Sequence, residues 1–252
     1  MQVFSLRAAL QQATQVTQLH LNSCGLQEVP PTILRCPNLR VLNLSDNQLS
    51  VLPDWLPQLK QLEELHLGSN SLSKWTADWS DWHSLRVLRL ARNQLSSVRG
   101  GCLPARLQQL DLQQNRLRTL ALSGLPSSLL HLDVSGNALR QLPDLSSCIH
   151  LRQLLAANNR LREWPALPRS EEPFQGLQTL LLAHNRLSEI PATIARCRSL
   201  RSLGLDHNCL STLPSEMGQL PWLVRLSLGG NQLKTVPAAL NQLERLDELQ
   251  LN

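Results

Sequence analysis

LRVLNLSDNQL at residues 39–49 recurs as LRVLRLARNQL at 85–95 and LVRLSLGGNQL at 223–233, so the chain repeats the string L-x-x-L-x-L-x-x-N-x-L. Copies start at Val16, Leu39, Leu62, Leu85, Leu107, Leu129, Leu151, Leu177, Leu200 and Leu223, with an incomplete eleventh at Leu246. They are 22 or 23 residues apart, except for a 26-residue step after Leu151. The alternation x-L-x-L-x predicts a short strand that buries its leucines and turns the residues between them to the other side. One such strand cannot bury itself, so copies must stack. Later in each copy, L-P-x-x-[I/L] as at Leu52-Pro53 or Leu213-Pro214 predicts an extended or turning return path, because Pro disfavours helix before it. The expected fold class is α/β: a curved horseshoe solenoid with a parallel β-sheet on the concave face and short helical, 3-10 or extended segments on the convex face. Residues 1–15 read as an N-terminal helical cap, since Val3, Leu6, Leu10 and Ala13 recur at helical spacing. Residues 16–245 read as ten repeats, and 246–252 as an incomplete eleventh.

The ninth repeat position is Asn47, Asn70, Asn93, Asn115, Asn137, Asn159, Asn185, Asn208 and Asn231, broken only by Cys24 in the first copy. An amide both donates and accepts, so this ladder is expected to serve backbone groups where the chain leaves the strand. Aromatic residues are 3% of the chain and Tyr is absent, which leaves the core to aliphatic side chains. Cys36, Cys148 and Cys197 fall in the slot that Leu59, Leu220 and Leu243 fill elsewhere, so they read as core residues. Trp75, Trp79 and Trp82 match the outer slots of Leu52, Leu56 and Leu59 and predict a local aromatic core. Trp55 and Trp222 fall between core positions and are expected to be partly exposed.

In this repeat string the chain resembles the intracellular leucine-rich-repeat class with a 23-residue period. The resemblance implies a binding scaffold rather than an enzyme. Two tighter copies, LPARLQQLDLQQNRL from Leu103 and LPSSLLHLDVSGNAL from Leu125, are similar to the shorter repeats of bacterial secreted effectors. Some such effectors carry a separate ubiquitin-ligase domain; none is readable here, so that activity is not carried over. The expected function is a non-catalytic scaffold or adaptor that binds another protein on the concave face. The alternatives are a regulatory subunit in a phosphatase or small-GTPase pathway, and a bacterial effector delivered into host cells.

The third and fifth residues of each copy are expected to face solvent from the sheet, and specificity is to be read there. Early and middle copies offer Glu64, His66, Arg86, Arg89, Arg92, Asp111 and Asp133, either to orient a polar partner or to neutralise one another on a wet surface. Leu155 and Leu181 are successive members of one column and form a candidate apolar anchor. His184 and His207 share a column about 5 Å apart at ideal strand spacing. With Asp206 they suggest a metal or pH-sensitive site, weighed against a solvated partner-binding face. No catalytic motif, nucleophile elbow or phosphate-cradling loop is present, so catalytic, cofactor and metal residues are all expected to be none.

The net charge of +5 comes from 24 basic and 19 acidic residues without long runs. With the aromatic residues assigned mainly to the outer core, nucleic acid is not an expected partner. No segment reads as membrane-inserted, and MQVFSLRAALQQATQ lacks a signal-peptide pattern. The localisation read from this is cytoplasmic, or secreted as an effector without a cleaved signal peptide. The stretch around PALPRSEEPFQG, residues 165–176, is expected to extend the binding edge or to be inert. LDELQLN leaves Leu246, Leu249 and Leu251 poorly covered, an edge open to self-association.

Overall fold

Every copy builds its strand at the predicted place, as three residues centred on the second leucine, and in the ten full copies those central leucines are sealed: Leu42, Leu65, Leu88, Leu154 and Leu180 have no accessible surface. The computed structural model describes residues 1–74, 79–99, 103–122, 124–168 and 176–251. They fall into two compact units, Met1–Leu129 and Leu130–Asn252.

In the first unit, β1 (Gln2–Val3), β2 (Gln18–His20), β3 (Val41–Asn43), β4 (Glu64–His66) and β5 (Val87–Arg89) run side by side. β6 (Ser97–Arg99) leaves this row, and β7 (Gln109–Asp111) continues it beside β5. All neighbours are parallel and in register, so Val41 faces Glu64 and His66 faces Arg89. β6 pairs with β8 (Thr119–Ala121) in a second parallel sheet. These two strands lie in 22-residue copies, where extended backbone stands in place of the 3-10 turns Pro31–Arg35 and Leu56–Gln58 of the longer copies.

The N-terminal region differs from the expected all-helical cap. Gln2–Val3 form β1 against β2, and the helix α1 covers only Leu6–Gln11. Ser5 explains the boundary: its hydroxyl accepts the Ala8 N–H at 3.2 Å as an N-cap, which leaves β-branched Val3 free to extend the sheet. Ala9, outside the expected apolar spacing, is the fully buried helix residue.

The second unit holds β9 (His131–Asp133), β10 (Gln153–Leu155), β11 (Thr179–Leu181), β12 (Ser202–Gly204), β13 (Arg225–Ser227) and β14 (Glu248–Gln250) in sequence order, all parallel. Its return paths include 3-10 turns at Ala192–Arg196, Ser215–Gln219 and Ala238–Gln242, each preceded by Pro at its cap. Each turn buries one apolar residue against the leucines: Ile194, Met217 and Leu240. Full burial of a side chain of this size is worth about 1.5–3 kcal/mol.

The asparagine ladder forms as expected. Asn70 donates from Nδ2 to the Leu44 and Leu67 carbonyls, each at 3.0 Å, and accepts the Leu49 N–H at 3.0 Å. Each amide therefore ties its own loop to the coil before it, and the described members from Asn47 to Asn208 are buried apart from half-buried Asn137. The residue before each asparagine adopts positive φ, as at Ser69 (54°), Arg92 (55°), His184 (54°) and His207 (52°). This left-handed conformation is costly for residues with a Cβ. It aims the residue's N–H at the next coil, where Ser69 donates to the Ala91 carbonyl at 2.9 Å and His184 to the Asp206 carbonyl at 2.7 Å.

Cys36, Cys148 and Cys197 are buried in their leucine slots. Trp79 and Trp82 are buried edge to face, with ring centroids 4.8 Å apart. Trp75 and Cys102 lie outside the described residues.

Candidate functional site

Because the leucines on either side of each strand centre are sealed inside, the side chains at the strand's first and third residues face outward, and candidate binding groups gather on that face. On the first unit, His66 Nε2 lies 3.1 Å from Glu64 Oε2. Burial lowers the imidazole pKa and Arg89 adds to this, while the Glu64 carboxylate pulls it back up. Arg89 faces Asp111 across β5 and β7. The described ion pairs are nevertheless Arg40–Glu63, His66–Glu64 and Arg225–Glu248, so Arg86, Arg89 and Arg92 hold no carboxylate. Arg92 donates instead to Gln114 Oε1 at 3.0 Å. Asp111 spends one oxygen on the Gln113 N–H at 3.0 Å and the other on the Gln113 amide at 3.3 Å. The expected opposite-charge cluster is thus an exposed group of arginines beside carboxylates already engaged.

On the second unit, Asp133 corrects the reading of the fifth column. It is buried, and its Oδ1 accepts the Ser135 N–H at 2.9 Å. Asn43 makes the same bond to the Ser45 N–H at 3.0 Å. Asn and Asp at this position close the turn that leaves the strand, so Asp133 belongs to the loop and not to the binding surface.

Leu155 and Leu181 do meet: they are register partners in β10 and β11, and both are half-exposed. Beside Leu181 in β12 is Gly204. A Cβ there would stand 2.9 Å from Leu181 Cδ2, so the leucine leans over the glycine. Beyond it, Ser202 and Ser227 help line a shallow hollow of about 110 Å³, shared with Arg225, Glu248 and Gln250. The arrangement is an apolar shelf, a dip of small residues and, at its far side, the Arg225–Glu248 pair at 3.4 Å. Sequence reading named the leucines and missed the hollow, whose signal was the small residues Ser202 and Ser227 in the outward columns.

His184 and His207 stack with centroids 4.3 Å apart and planes 16° apart, and both rings are exposed. Asp206, the suggested third ligand, turns its Oδ1 to the Gly229 N–H at 3.0 Å. Among the described residues no group of three or more His, Cys, Asp and Glu side chains is placed to hold a metal ion. Trp222 is exposed as expected, with the Arg245 guanidinium 3.7 Å from its ring centroid. Only residues 165–168 and 176 of the inserted stretch are described, and there Trp164, Pro165, Leu167, Pro168 and Pro191 help line a cleft of about 470 Å³. In β14 and after it, Leu249 and Leu251 are 42% and 43% exposed. No described helix is long and apolar enough to cross a membrane.

Comparison with curated proteins gives no match. Among solved structures, an internalin from Listeria monocytogenes aligns over 98% of this chain and 73% of its own at 22% identity, with a TM-score of 0.81. That likeness shows the fold. The ectodomain of the Arabidopsis thaliana receptor kinase GASSHO1/SCHENGEN3, in complex with Casparian strip integrity factor 2, aligns at 25% identity and TM-score 0.77 over 98% of this chain but 34% of its own. The leucine-rich-repeat part of FLRT2, from an octameric complex with latrophilin 3 and Unc5D, aligns at 28% identity and TM-score 0.78 over 100% of this chain and 80% of its own. The family description "Leucine rich repeat" matches residues 14–72, 175–233 and 198–252, more than half of the sequence, and with the stacked parallel strands and asparagine ladder of both units the chain belongs to the leucine-rich-repeat family.

Proposed function

We propose that this chain is a non-catalytic interaction module, a scaffold or adaptor that binds a protein partner on the exposed face of its sheet. The anchor lies in the second unit. The observation that carries the reading is the Leu155–Leu181 shelf, with the hollow lined by Ser202 and Ser227 on the two strands beyond it. Two register-paired leucines beside a dip of small residues let an apolar side chain of a partner be enclosed on several sides, the geometry of a binding hot spot. The Arg225–Glu248 pair supplies polar contacts at the rim. Relatives of the fold solved in complex with other proteins support binding of a protein partner. The five described cysteines are free thiols, which fits a reducing compartment such as the cytoplasm.

The test is affinity capture from native lysate with mass spectrometry, comparing wild type with Leu155→Glu/Leu181→Glu and Arg86→Glu/Arg89→Glu, each confirmed folded by circular dichroism. The leucine variant is expected to lose a partner that the arginine variant keeps. Retention of every partner by the folded leucine variant would refute the shelf as the anchor.

A further inference from the structure

Two positions after the asparagine ladder carry charge that no described ion pair uses. In the second unit Leu139, Leu161 and Leu187 are sealed in the core, so the residues on either side of each must point outward. Those residues include Arg140, Arg160, Arg162 and Arg186, all exposed. Backbone bonds fix their register: the Arg162 N–H donates to the Arg140 carbonyl at 3.4 Å, and the Arg186 N–H to the Leu161 carbonyl at 2.8 Å. Arg140 therefore neighbours Arg162, and Arg160 neighbours Arg186, on adjoining coils about 5 Å apart, while Arg160 and Arg162 lie about 7 Å apart along one coil. None of the four is in a described ion pair. At the same repeat positions the first unit has Gln48, Ser50, Ser71, Ser73, Gln94 and Ser96 in three coils and Arg116 and Arg118 in a fourth, so the fold accepts uncharged residues there and does not itself require cations.

Like charges side by side destabilise a sheet-like array. Four in a block, with no described acid bonded to them, make a surface whose energy improves when an anion arrives. From this we infer that the flank formed by Arg140, Arg160, Arg162 and Arg186 is a second interaction surface, and that its occupant is an extended, carboxylate-rich segment of a protein. All four cations are arginines, whose planar fork matches a carboxylate in bidentate geometry. The spacing of about 7 Å along a coil equals that of alternate side chains on one face of an extended peptide, so one strand of Glu-x-Glu sets two carboxylates over Arg160 and Arg162. Single-stranded nucleic acid is disfavoured because, among the described residues, no aromatic side chain interleaves with the arginines for bases to stack on. The surface is separate from the leucine shelf, and its occupation does not depend on that site.

The experiment measures binding of a short fluorescein-labelled peptide of alternating Glu and Ser by anisotropy at low ionic strength, with a single-stranded oligonucleotide of equal charge in parallel. Arg160→Glu/Arg162→Glu and the milder Arg140→Gln/Arg186→Gln are compared with Arg201→Glu/Arg245→Glu, which makes the same change in net charge as the first on other residues. The expected result is peptide binding by wild type, weakened about tenfold by Arg160→Glu/Arg162→Glu and severalfold by the milder variant, and less than about twofold by the control. Leu155→Glu/Leu181→Glu is expected to bind the peptide normally whatever happens to partners of the shelf. Absence of binding by wild type, equal losses in flank and control variants, or tighter binding of the oligonucleotide than of the peptide would each overturn the inference.

Discussion

Replacing Asn185 by Ala removes one side chain and four hydrogen bonds. Its Nδ2 donates to the Ala156 and Leu182 carbonyls, each at 2.9 Å, and to Ala183 at 3.3 Å, while Oδ1 accepts the Leu161 N–H at 2.9 Å. The three carbonyls keep other donors: Asn159 at Ala156, Asn208 at Leu182 and the Asn158 N–H at Ala183. The Leu161 N–H, in a fully buried residue, is the group left without a partner. An orphaned buried donor costs about 1–3 kcal/mol, and the loss of bonds to carbonyls that remain satisfied adds about 1 kcal/mol, so Asn185→Ala should destabilise by about 2–4 kcal/mol. Half-buried Asn231 makes similar bonds nearer to water, and Asn231→Ala should cost about half as much. Asn185→Asp keeps the acceptor but points a carboxylate at three carbonyls, so at pH 7 it should be worse than Ala. Burial and those carbonyls raise the folded-state pKa of that carboxyl above the unfolded value. Its penalty is therefore relieved as pH falls toward about 4 and returns as pH rises. Guanidinium unfolding followed by circular dichroism gives the totals, and exchange of the Leu161 amide reports the site directly. A cost below about 1 kcal/mol with the Leu161 amide still protected would refute this account of the ladder.

Burial pushes the Cys197 thiol up to about 12, so thiol reagents should label exposed Cys24 and Cys209 in the folded protein and reach Cys197 only on unfolding, as read by peptide mass spectrometry. His66 is held below its ordinary pKa chiefly by burial; its share of stability is full above about 6.5 and is lost as pH falls through the depressed folded value. Unfolding measured from pH 7.5 to 5 should show a steeper acid loss in wild type than in His66→Gln. A Cβ at Gly218 would collide with the Ala239 carbonyl oxygen, where two 3-10 turns press backbone to backbone, so Gly218→Ala should destabilise by about 1–3 kcal/mol in the same unfolding assay.

The sequence reveals whatever recurs. A leucine at every second strand position fixes which side is sealed, and nine asparagines at one offset imply a repeated backbone need, so the strands and the ladder could be placed before any coordinates. Slots transfer equally well: Cys36, Cys148 and Cys197 were identifiable as leucine replacements from position alone, as were Trp79 and Trp82. What escapes the pattern is decided by a single neighbour. Ser5 starts the helix late and hands Val3 to the sheet. Gly204 yields its side-chain space to Leu181, whose Cδ2 would crowd a Cβ there, and Asp133 looked available because its column faces outward, although its carboxylate accepts the backbone N–H of Ser135, two residues further along. The left-handed residue before each asparagine carries no common side chain, from Ser69 through Arg92 to His207, since the backbone bond to the next coil enforces it.

Those local bonds also decide which charges are free to meet a partner. Backbone N–H groups leaving each strand need acceptors, and Asn43, Asp111, Asp133 and Asp206 supply them through side-chain oxygens. Arginine has five donors and no acceptor, so it cannot replace them in that role. The carbonyls nearest the ladder are already served by asparagine amides, which leaves arginine little to do inside the coil. These turns therefore engage the carboxylates of Asp111, Asp133 and Asp206, while guanidinium groups stay at the surface. Those cations collect on the flank beyond the asparagines, while the outward sheet face beside Gly204 is apolar. Two surfaces of opposite chemistry thus follow from one repeat, since its sealed leucines set the alternation and its turns engage the outward aspartates.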